Sequence, residues 1–193
     1  TVTVPGSKSY TNRALLIAGL TDGECRLEKP LVSDDTKYMI QALKAFGVPV
    51  REEEGAFIVS GKGGKLCAPD NDIFIGNAGT AMRFLTTFST LAPGKVRLDG
   101  DERMHERPLA DLLDCLTQMG IHAVSVNDNG CPPIDIKGGE VPGGDVQLAG
   151  DKSSQYLTSI LLSAPYFKND TCVHIQGDLT SKSYADITLD IMK

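Results

Sequence analysis

The chain repeats one pattern three times: a glycine-containing turn, a cluster of small polar and basic residues, and then an apolar helical run. The three copies are PGSKSYTNRALL at residues 5–16, GNAGTAMRFL at 76–85 and GDKSSQYLTSILL at 150–162. Such self-similarity constrains the fold strongly, because each copy must form the same supersecondary unit and bury its apolar face against the others. The sequence therefore predicts an architecture of three similar units, each opening with a short strand before its turn.

Each copy is followed by further elements in the same order. The sequence predicts a strand after each copy, at 24–28, 95–99 and 172–176. It predicts a second helix after each strand, at 33–46, 108–119 and 183–193. The first two of these helices end at Gly47 and Gly120, about 73 residues apart, and each precedes a pair of short strands, at 49–53 with 56–60 and at 122–126 with 134–136. This order predicts βαβαββ units at about 1–68, 69–138 and 139–193.

The third unit differs because the sequence ends at Lys193, inside its second helix. A capping glycine and two closing strands would normally follow. We therefore expect the chain to be part of a larger protein. The predicted fold class is α/β (α+β), a pseudo-threefold domain whose third unit is truncated. Two glycine-rich stretches, 61–65 and 138–144, are predicted to be turns.

Composition excludes several classes of protein. A chain of 193 residues with 41% hydrophobic content is long enough for one substantial core. Its net charge of −6 gives no diffuse basic surface for nucleic acid or an anionic membrane. The five cysteines include no C-x-x-C pair, so the sequence predicts neither a disulfide framework nor a metal site. We expect a cytoplasmic protein with no cofactor.

The polar helix starts are candidate anion sites, because a helix N-terminus exposes unpaired N–H groups and a partial positive charge. Ser9, Thr80 and Ser154 mark these starts, and in a pseudo-threefold domain they would lie on one face. Basic residues gather in or beside the same turns despite the acidic total, at Lys8, Arg13, Arg83, Arg103, Arg107, Lys152 and Lys182. One such motif alone is typical of ordinary N-capping. Three together favour a shared anion-binding cleft.

Other polar residues favour structural roles. His122 and His174 fall in predicted strands, where packing or surface roles are common, and only His105 lies in a candidate site loop. The pair Asp34 and Asp35 follows Ser33 at a helix start, where first-turn carboxylates interact favourably with the helix dipole. We predict a capping role for this pair and no part in catalysis.

Six segments of the chain resemble, in order, the successive motifs of the 5-enolpyruvylshikimate-3-phosphate synthase family. They read PGSKSYTNRALL, SDDTKYMIQALKAFGV, GNAGTAMRFL, DERMHERPLADLL, GDKSSQYLTSILLSAP and GDLTSKSYADITLDIMK. The reactive-cysteine loop of the related UDP-N-acetylglucosamine enolpyruvyl transferases is not apparent. The resemblance implies an enzyme of two similar domains with an inside-out α/β barrel-like form. Residues 1–193 would be one of these enolpyruvyl-transferase domains, and the second domain would be its partner.

The resemblance also implies a reaction. The family transfers the enolpyruvyl group of phosphoenolpyruvate to the 5-hydroxyl of shikimate 3-phosphate and releases phosphate, without a metal or an organic cofactor. This is a step of aromatic amino acid biosynthesis and the target of glyphosate. Both substrates are anions. This agrees with the basic residues and the helix N-termini described above, which are groups that bind phosphate and carboxylate.

The motifs carry over candidate site residues. The resemblance implies that shikimate 3-phosphate contacts Lys8, Ser9, Arg13, Ser153, Ser154, Gln155, Ser181 and Tyr184. It implies that phosphoenolpyruvate contacts Lys8, Asn77, Gly79, Arg107 and Gln155. Lys8 would be the catalytic residue of this chain, since it reaches both anions. Arg103 is a weaker candidate, and the acid and base carboxylates would come from the second domain.

Two positions depart from the family pattern. Phe84 and Ser183 stand where many members carry proline, and we expect the first to alter tolerance of phosphonate inhibitors and the second to matter little. Two other functions stay open at this point. One is a non-catalytic sugar-phosphate-binding module of the same fold. The other is an RNA-binding or RNA-end-processing protein of related architecture, which the acidic balance disfavours.

Overall fold

The computed structural model describes residues 5–193. Its α-helices are α1 Lys8–Leu20, α2 Asp34–Ala45, α3 Gly79–Phe88, α4 Ala110–Gln118, α5 Ser154–Ser163 and α6 Lys182–Met192. Its strands are β1 Asp22–Glu28, β2 Val50–Glu53, β3 Ala56–Lys62, β4 Ile73–Phe74, β5 Gly94–Asp99, β6 His122–Ser125, β7 Ile134–Gly138, β8 Gly144–Ala149 and β9 Thr171–Gln176. Every predicted helix and strand within these residues is confirmed to within a few positions. The strand predicted before the first motif lies at 1–4, outside the described residues.

The strands form three separate sheets with related orders. The first is β1-β3-β2, the second β4-β5-β7-β6 and the third β8-β9. Within the second sheet, the antiparallel set β5-β7-β6 has the same order as the whole first sheet. The parallel pair β4 and β5 matches the parallel pair β8 and β9, and α3 and α5 each connect such a pair. The mixed helix and strand character that the sequence predicts is confirmed.

The helices α1, α3 and α5, which carry the three motif copies, lie within one continuous hydrophobic core. Helix α3 packs against α5, and α1 packs against α2 and β3. The rings of Phe46 and Phe88 meet edge to face at 5.2 Å between α2 and α3. A polar contact ties α3 to α5, because the buried Ser159 hydroxyl lies 2.6 Å from the carbonyl oxygen of Arg83. Among residues 5–193, none of the helices has the length and apolarity needed to cross a membrane.

Capping residues set the starts of two helices. Ser33 accepts a hydrogen bond from the Thr36 N–H and forms a capping box at α2. Ser153 accepts from the Gln155 N–H at 3.2 Å and so caps α5. Helices α1 and α3 begin at Lys8 and Gly79, one residue before the predicted starts, and the residues preceding them make no side-chain capping bond.

Both predicted glycine-rich turns are shorter than expected. Strand β3 runs on to Lys62 because Gly61 pairs with Gly23 of β1, and β7 likewise includes Gly138. At each of these strand ends the chain crosses the C-terminal end of a motif helix. A Cβ on Gly61 would overlap the carbonyl oxygens of Ala18 and Thr21.

The second crossing repeats this geometry. A Cβ on Gly138 would lie 2.6 Å from the carbonyl oxygen of Ser89 and 2.8 Å from that of Thr90, in the 3₁₀ turn that extends α3. The N–H of Gly139 then donates to the Thr90 carbonyl at 2.8 Å. A glycine is therefore required at both crossings by the close approach of two backbones.

We expect Gly138→Ala to lower the free energy of unfolding by about 1–3 kcal/mol or more, because an added methyl group forces two backbones apart. Urea denaturation of the purified protein measures this change. Gly19→Ala is the matched control, since its new Cβ would meet only side-chain methyl groups, the nearest being the end of Leu43 at 3.1 Å and Val48 at 3.5 Å. Equal losses for the two variants would contradict the close approach as the cause.

Candidate functional site

A cavity of about 320 Å³ lies where α1, α3 and α5 begin. Ser9, Thr80 and Ser154, the three predicted helix starts, all line it, so the predicted convergence on one face is observed. Its complete lining is Lys8, Ser9, Arg13, Thr80, Phe84, Lys152, Ser153, Ser154, Gln155, Thr180, Ser181 and Tyr184. The lining consists largely of hydroxyl, amide and cationic groups. Such groups donate hydrogen bonds and suit an oxyanion.

Most of the candidate site residues lie in this lining. It includes all eight candidates for the shikimate side, namely Lys8, Ser9, Arg13, Ser153, Ser154, Gln155, Ser181 and Tyr184. Three candidates for phosphoenolpyruvate, Asn77, Gly79 and Arg107, do not line the cavity. Gly79 is the first residue of α3, Asn77 lies two residues before it, and the Arg107 guanidinium lies against Gly79. Arg103 is exposed and does not line the cavity either. Thr180 also lines the cavity and was not among the predicted site residues, although its position beside Ser181 was an available signal.

Lys8 is the first residue of α1 and is half-exposed at the cavity. Its Nζ lies 3.4 Å from a carboxylate oxygen of Asp35, in the first turn of α2. Asp35 therefore has a second contact besides its predicted interaction with the helix dipole. An ion pair this exposed contributes only about 0–1 kcal/mol, so Lys8 remains available to a bound anion.

The Arg13 side chain is only 2% exposed and holds α1, α5 and α6 together. Its Nε donates to the Thr188 hydroxyl at 2.8 Å, and its Nη1 donates to the Ser9 carbonyl at 2.9 Å. Its Nη2 donates to the Tyr184 carbonyl at 3.1 Å and to the Thr158 hydroxyl at 3.4 Å. Every partner is a neutral oxygen, so these bonds fix the guanidinium without neutralising its charge.

The positive charge of Arg13 is buried without a carboxylate partner among the described residues. Burial lowers the pKa of this guanidinium from its ordinary value, although an arginine stays protonated in proteins. The rings of Phe84 and Tyr184 lie 5.2 and 5.9 Å from the guanidinium carbon and stabilise the cation through their faces. A bound anion would supply the negative charge that no side chain provides to Arg13 among residues 5–193.

Arg83 links the starts of α3 and α5. Its Nη1 donates to the Gln155 side-chain oxygen at 3.1 Å and to the Gly79 carbonyl at 3.2 Å. The Gln155 amide nitrogen in turn donates to the Thr80 hydroxyl at 3.3 Å. Arg83 also lies over the ring of Tyr156, at 5.8 Å. The sequence indicated Arg83 only as a nearby cation, whereas the structure shows that it also orients Gln155.

Arg107 reaches the start of α3 from the loop that follows β5. A Cβ built on Gly79 would lie 2.5 Å from the Arg107 Nη1, so a side chain at this position would displace the guanidinium. The loop is held in place by a 2.7 Å contact between His105 Nε2 and an Asp99 carboxylate oxygen. Near Gly79, the buried side-chain oxygen of Asn77 has no hydrogen-bond partner among the described residues. A ligand N–H or O–H, or a water, would satisfy it.

Comparisons with known proteins show which family the chain belongs to. A sequence model described as EPSP synthase (3-phosphoshikimate 1-carboxyvinyltransferase) matches residues 1–193. The chain is 44% identical over 194 residues to a 3-phosphoshikimate 1-carboxyvinyltransferase of Shewanella baltica, with 99% of the chain and 46% of the relative covered. It is 42% identical over 193 residues to one of Methanothermobacter thermautotrophicus, with 100% and 45% covered.

A solved structure of the same family is also similar to this chain. EPSP synthase from Acinetobacter baumannii superposes with a TM-score of 0.84 at 27% identity, covering 93% of this chain and 41% of that one. The chain thus spans about half the length of the curated relatives it matches. Because the family model matches all of residues 1–193, the chain belongs to the EPSP synthase (3-phosphoshikimate 1-carboxyvinyltransferase) family.

Proposed function

We propose that this chain serves in an enzyme that transfers the enolpyruvyl group of phosphoenolpyruvate to the 5-hydroxyl of shikimate 3-phosphate and releases phosphate. The observation that carries the proposal is the convergence of three helix N-termini with Lys8, Arg13 and Lys152 at one cavity. This concentrates positive potential in a chain whose net charge is −6. Both substrates are anions of the kind that such a site holds.

The proposed binding roles follow the two parts of the site. Shikimate 3-phosphate occupies the cavity and contacts Lys8, Ser9, Arg13, Ser153, Ser154, Gln155, Ser181 and Tyr184. Phosphoenolpyruvate lies toward the start of α3 and contacts Lys8, Asn77, Gly79, Arg107 and Gln155. Gln155 lies between the two substrates and contacts both, because it lines the cavity and also forms hydrogen bonds with Thr80 and Arg83 of α3. Lys8 is the catalytic residue that this chain supplies.

We also propose the arrangement of the whole domain. Residues 1–193 form one enolpyruvyl-transferase domain of three pseudo-threefold units, inside-out and barrel-like, with α1, α3 and α5 innermost. The related sheet orders and the shared position of the helix starts support this arrangement. A second domain completes the cleft and brings the acid and base groups, since the cavity lining contributed by residues 5–193 contains no carboxylate or histidine. The greater length of the relatives supports this part.

A cytoplasmic location and the lack of a nucleic-acid partner belong to the same proposal. Cys25, Cys67, Cys115, Cys131 and Cys172 are free thiols, which persist in a reducing compartment. The acidic net charge disfavours nucleic acid, whose binding depends on neutralising phosphates with lysine and arginine.

We expect the purified chain of residues 1–193 to bind shikimate 3-phosphate without catalysing turnover. Binding and chemistry are separable, because most of the proposed shikimate contacts lie in this chain while the acid and base groups do not. Calorimetry measures binding, and a phosphate-release assay with phosphoenolpyruvate measures turnover. Phosphate release by the isolated chain would contradict the division of roles. Failure of a full-length protein to release phosphate would favour the non-catalytic binding module instead.

A further inference from the structure

Three potential metal ligands meet on the outer face of the β8-β9 pair. Asp145 stands opposite Cys172 in the parallel register, and His174 follows two residues later on the same face of β9. All three side chains are exposed, and their ligand atoms all lie within 4.8 Å of one another. His174 Nε2 and a carboxylate oxygen of Asp145 are in hydrogen-bond contact, at 2.9 Å.

An exposed cysteine is unusual, because cysteine is among the residue types most often buried. Alternation along β9 directs Val173 and Ile175 toward the core and leaves Cys172 and His174 on the solvent side. Packing therefore does not account for a thiol at this position. An imidazole and a carboxylate lie beside the thiol, and each of these three groups is a ligand that zinc accepts in proteins.

The known separations can be compared with those around a tetrahedral ion: the nitrogen and oxygen lie 2.9 Å apart, and the sulfur lies within 4.8 Å of each. Zinc bonds of about 2.1 Å to nitrogen and oxygen place those two atoms about 3.4 Å apart, and a 2.3 Å bond to sulfur places it about 3.6 Å from each. The observed His174–Asp145 contact needs to open by only about half an ångström. The strand backbones already hold the three residues in position, so only side-chain torsions need to change.

We propose that Asp145, Cys172 and His174 form a surface site for a zinc-like divalent ion, with its fourth position open to solvent. Binding replaces the thiol proton of Cys172 with the metal ion and releases that proton to the buffer, so affinity falls as the pH is lowered. The ion would join β8 to β9, the two strands of the smallest sheet. Ligand spacing in the sequence did not reveal this site, because one ligand comes from a different strand.

The site is separate from the anion cavity and does not rest on the proposed function. The loops after β8 and β9 carry Lys152 and Ser181 into the cavity, whereas Asp145 and Cys172 lie near the opposite ends of these strands. Asp145 lies four residues before Ala149, the last residue of β8, which corresponds to about 13 Å of extended chain. Substitutions at the metal site are therefore expected to leave anion binding unchanged.

Zinc chloride alone is the probe. Reduced, chelator-treated protein is titrated with zinc in a calorimeter, and cobalt(II) is used in parallel because thiolate ligation gives a sulfur-to-cobalt absorption band in the near ultraviolet. We expect Cys172→Ser to abolish this band, and Cys172→Ser and His174→Gln each to weaken zinc binding at least about tenfold. Even outer-shell partners of metal ligands contribute 10- to 100-fold in affinity.

Two exposed residues outside the cluster provide matched controls. Cys67→Ser and His122→Gln remove the same chemical groups elsewhere and should leave the cobalt band and the zinc affinity unchanged. The proposal is overturned if the wild-type protein gives no sulfur-to-cobalt band, or if the band survives in Cys172→Ser. Zinc affinity that does not change in Asp145→Asn would also overturn the three-ligand site. Since all these positions are exposed, loss of folding is not expected to obscure the result.

Discussion

Lys8→Ala is expected to weaken the binding of shikimate 3-phosphate about 10- to 100-fold and to reduce enolpyruvyl transfer by the full-length enzyme still further. A charge-assisted hydrogen bond contributes about 1.5–3 kcal/mol, and in the proposed site Lys8 makes such bonds to both anions. Its place at the first position of α1 also adds its charge to the positive end of that helix. Calorimetry and phosphate-release kinetics measure the two effects.

Lys37→Ala is the matched control for this variant. Lys37 is also an exposed lysine, and its Nζ lies 3.4 Å from Asp34, the same distance that separates Lys8 from Asp35. It does not line the cavity, so both binding and turnover should stay at the wild-type level. If the two variants behave alike, the role proposed for Lys8 is wrong and general surface charge is the cause.

Arg13→Met is expected to weaken the binding of shikimate 3-phosphate by about 10- to 100-fold while the free energy of unfolding stays within about 1 kcal/mol of wild type. Methionine fills much of the same volume without the buried charge, and removing an unneutralised buried charge offsets the lost hydrogen bonds. The hydroxyl of Thr188 still has a partner in the Tyr184 carbonyl, at 2.8 Å. Calorimetry and urea denaturation measure binding and stability.

Two comparisons separate charge from packing at this position. Arg13→Ala should lose the same binding and, in addition, about 2–5 kcal/mol of stability, because it leaves a cavity. Arg26→Met removes an exposed arginine outside the anion cavity and should leave binding unchanged. Wild-type binding by Arg13→Met would assign Arg13 to packing alone. The Arg13 variants should mainly raise the KM for shikimate 3-phosphate. Their loss of turnover at saturating substrate should therefore be smaller than that of Lys8→Ala.

The order of helices and strands was predictable because local signals mark each element. Gly47 and Gly120 end α2 and α4 with left-handed φ angles of 80° and 78°, which the sequence already indicated by the placement of glycine. The extension of β3 through Gly61 was not predictable, since glycine normally favours a turn. Here it is required by a helix whose position only the folded chain reveals.

The cavity was predictable from the repeat, but the contacts within it were not. Three similar helix starts indicate one face, because repeated units place equivalent residues alike. The link from Arg83 to Gln155 joins side chains 72 positions apart, and no local pattern indicates that they meet. The same holds for Asp145 and His174, which meet because β8 and β9 are parallel and in register.

The two glycine crossings also determine how the molecule is polarised. Gly63 and Gly64 donate their N–H groups to the carbonyls of Thr21 and Leu20 at the end of α1, and Gly139 does the same at the end of the α3 segment. The negative ends of these helices are thus covered by chain, whereas their positive ends open at the cavity. A molecule with a net charge of −6 therefore carries an oriented electric dipole, which draws an approaching dianion to one face and makes its association rate fall as salt is added.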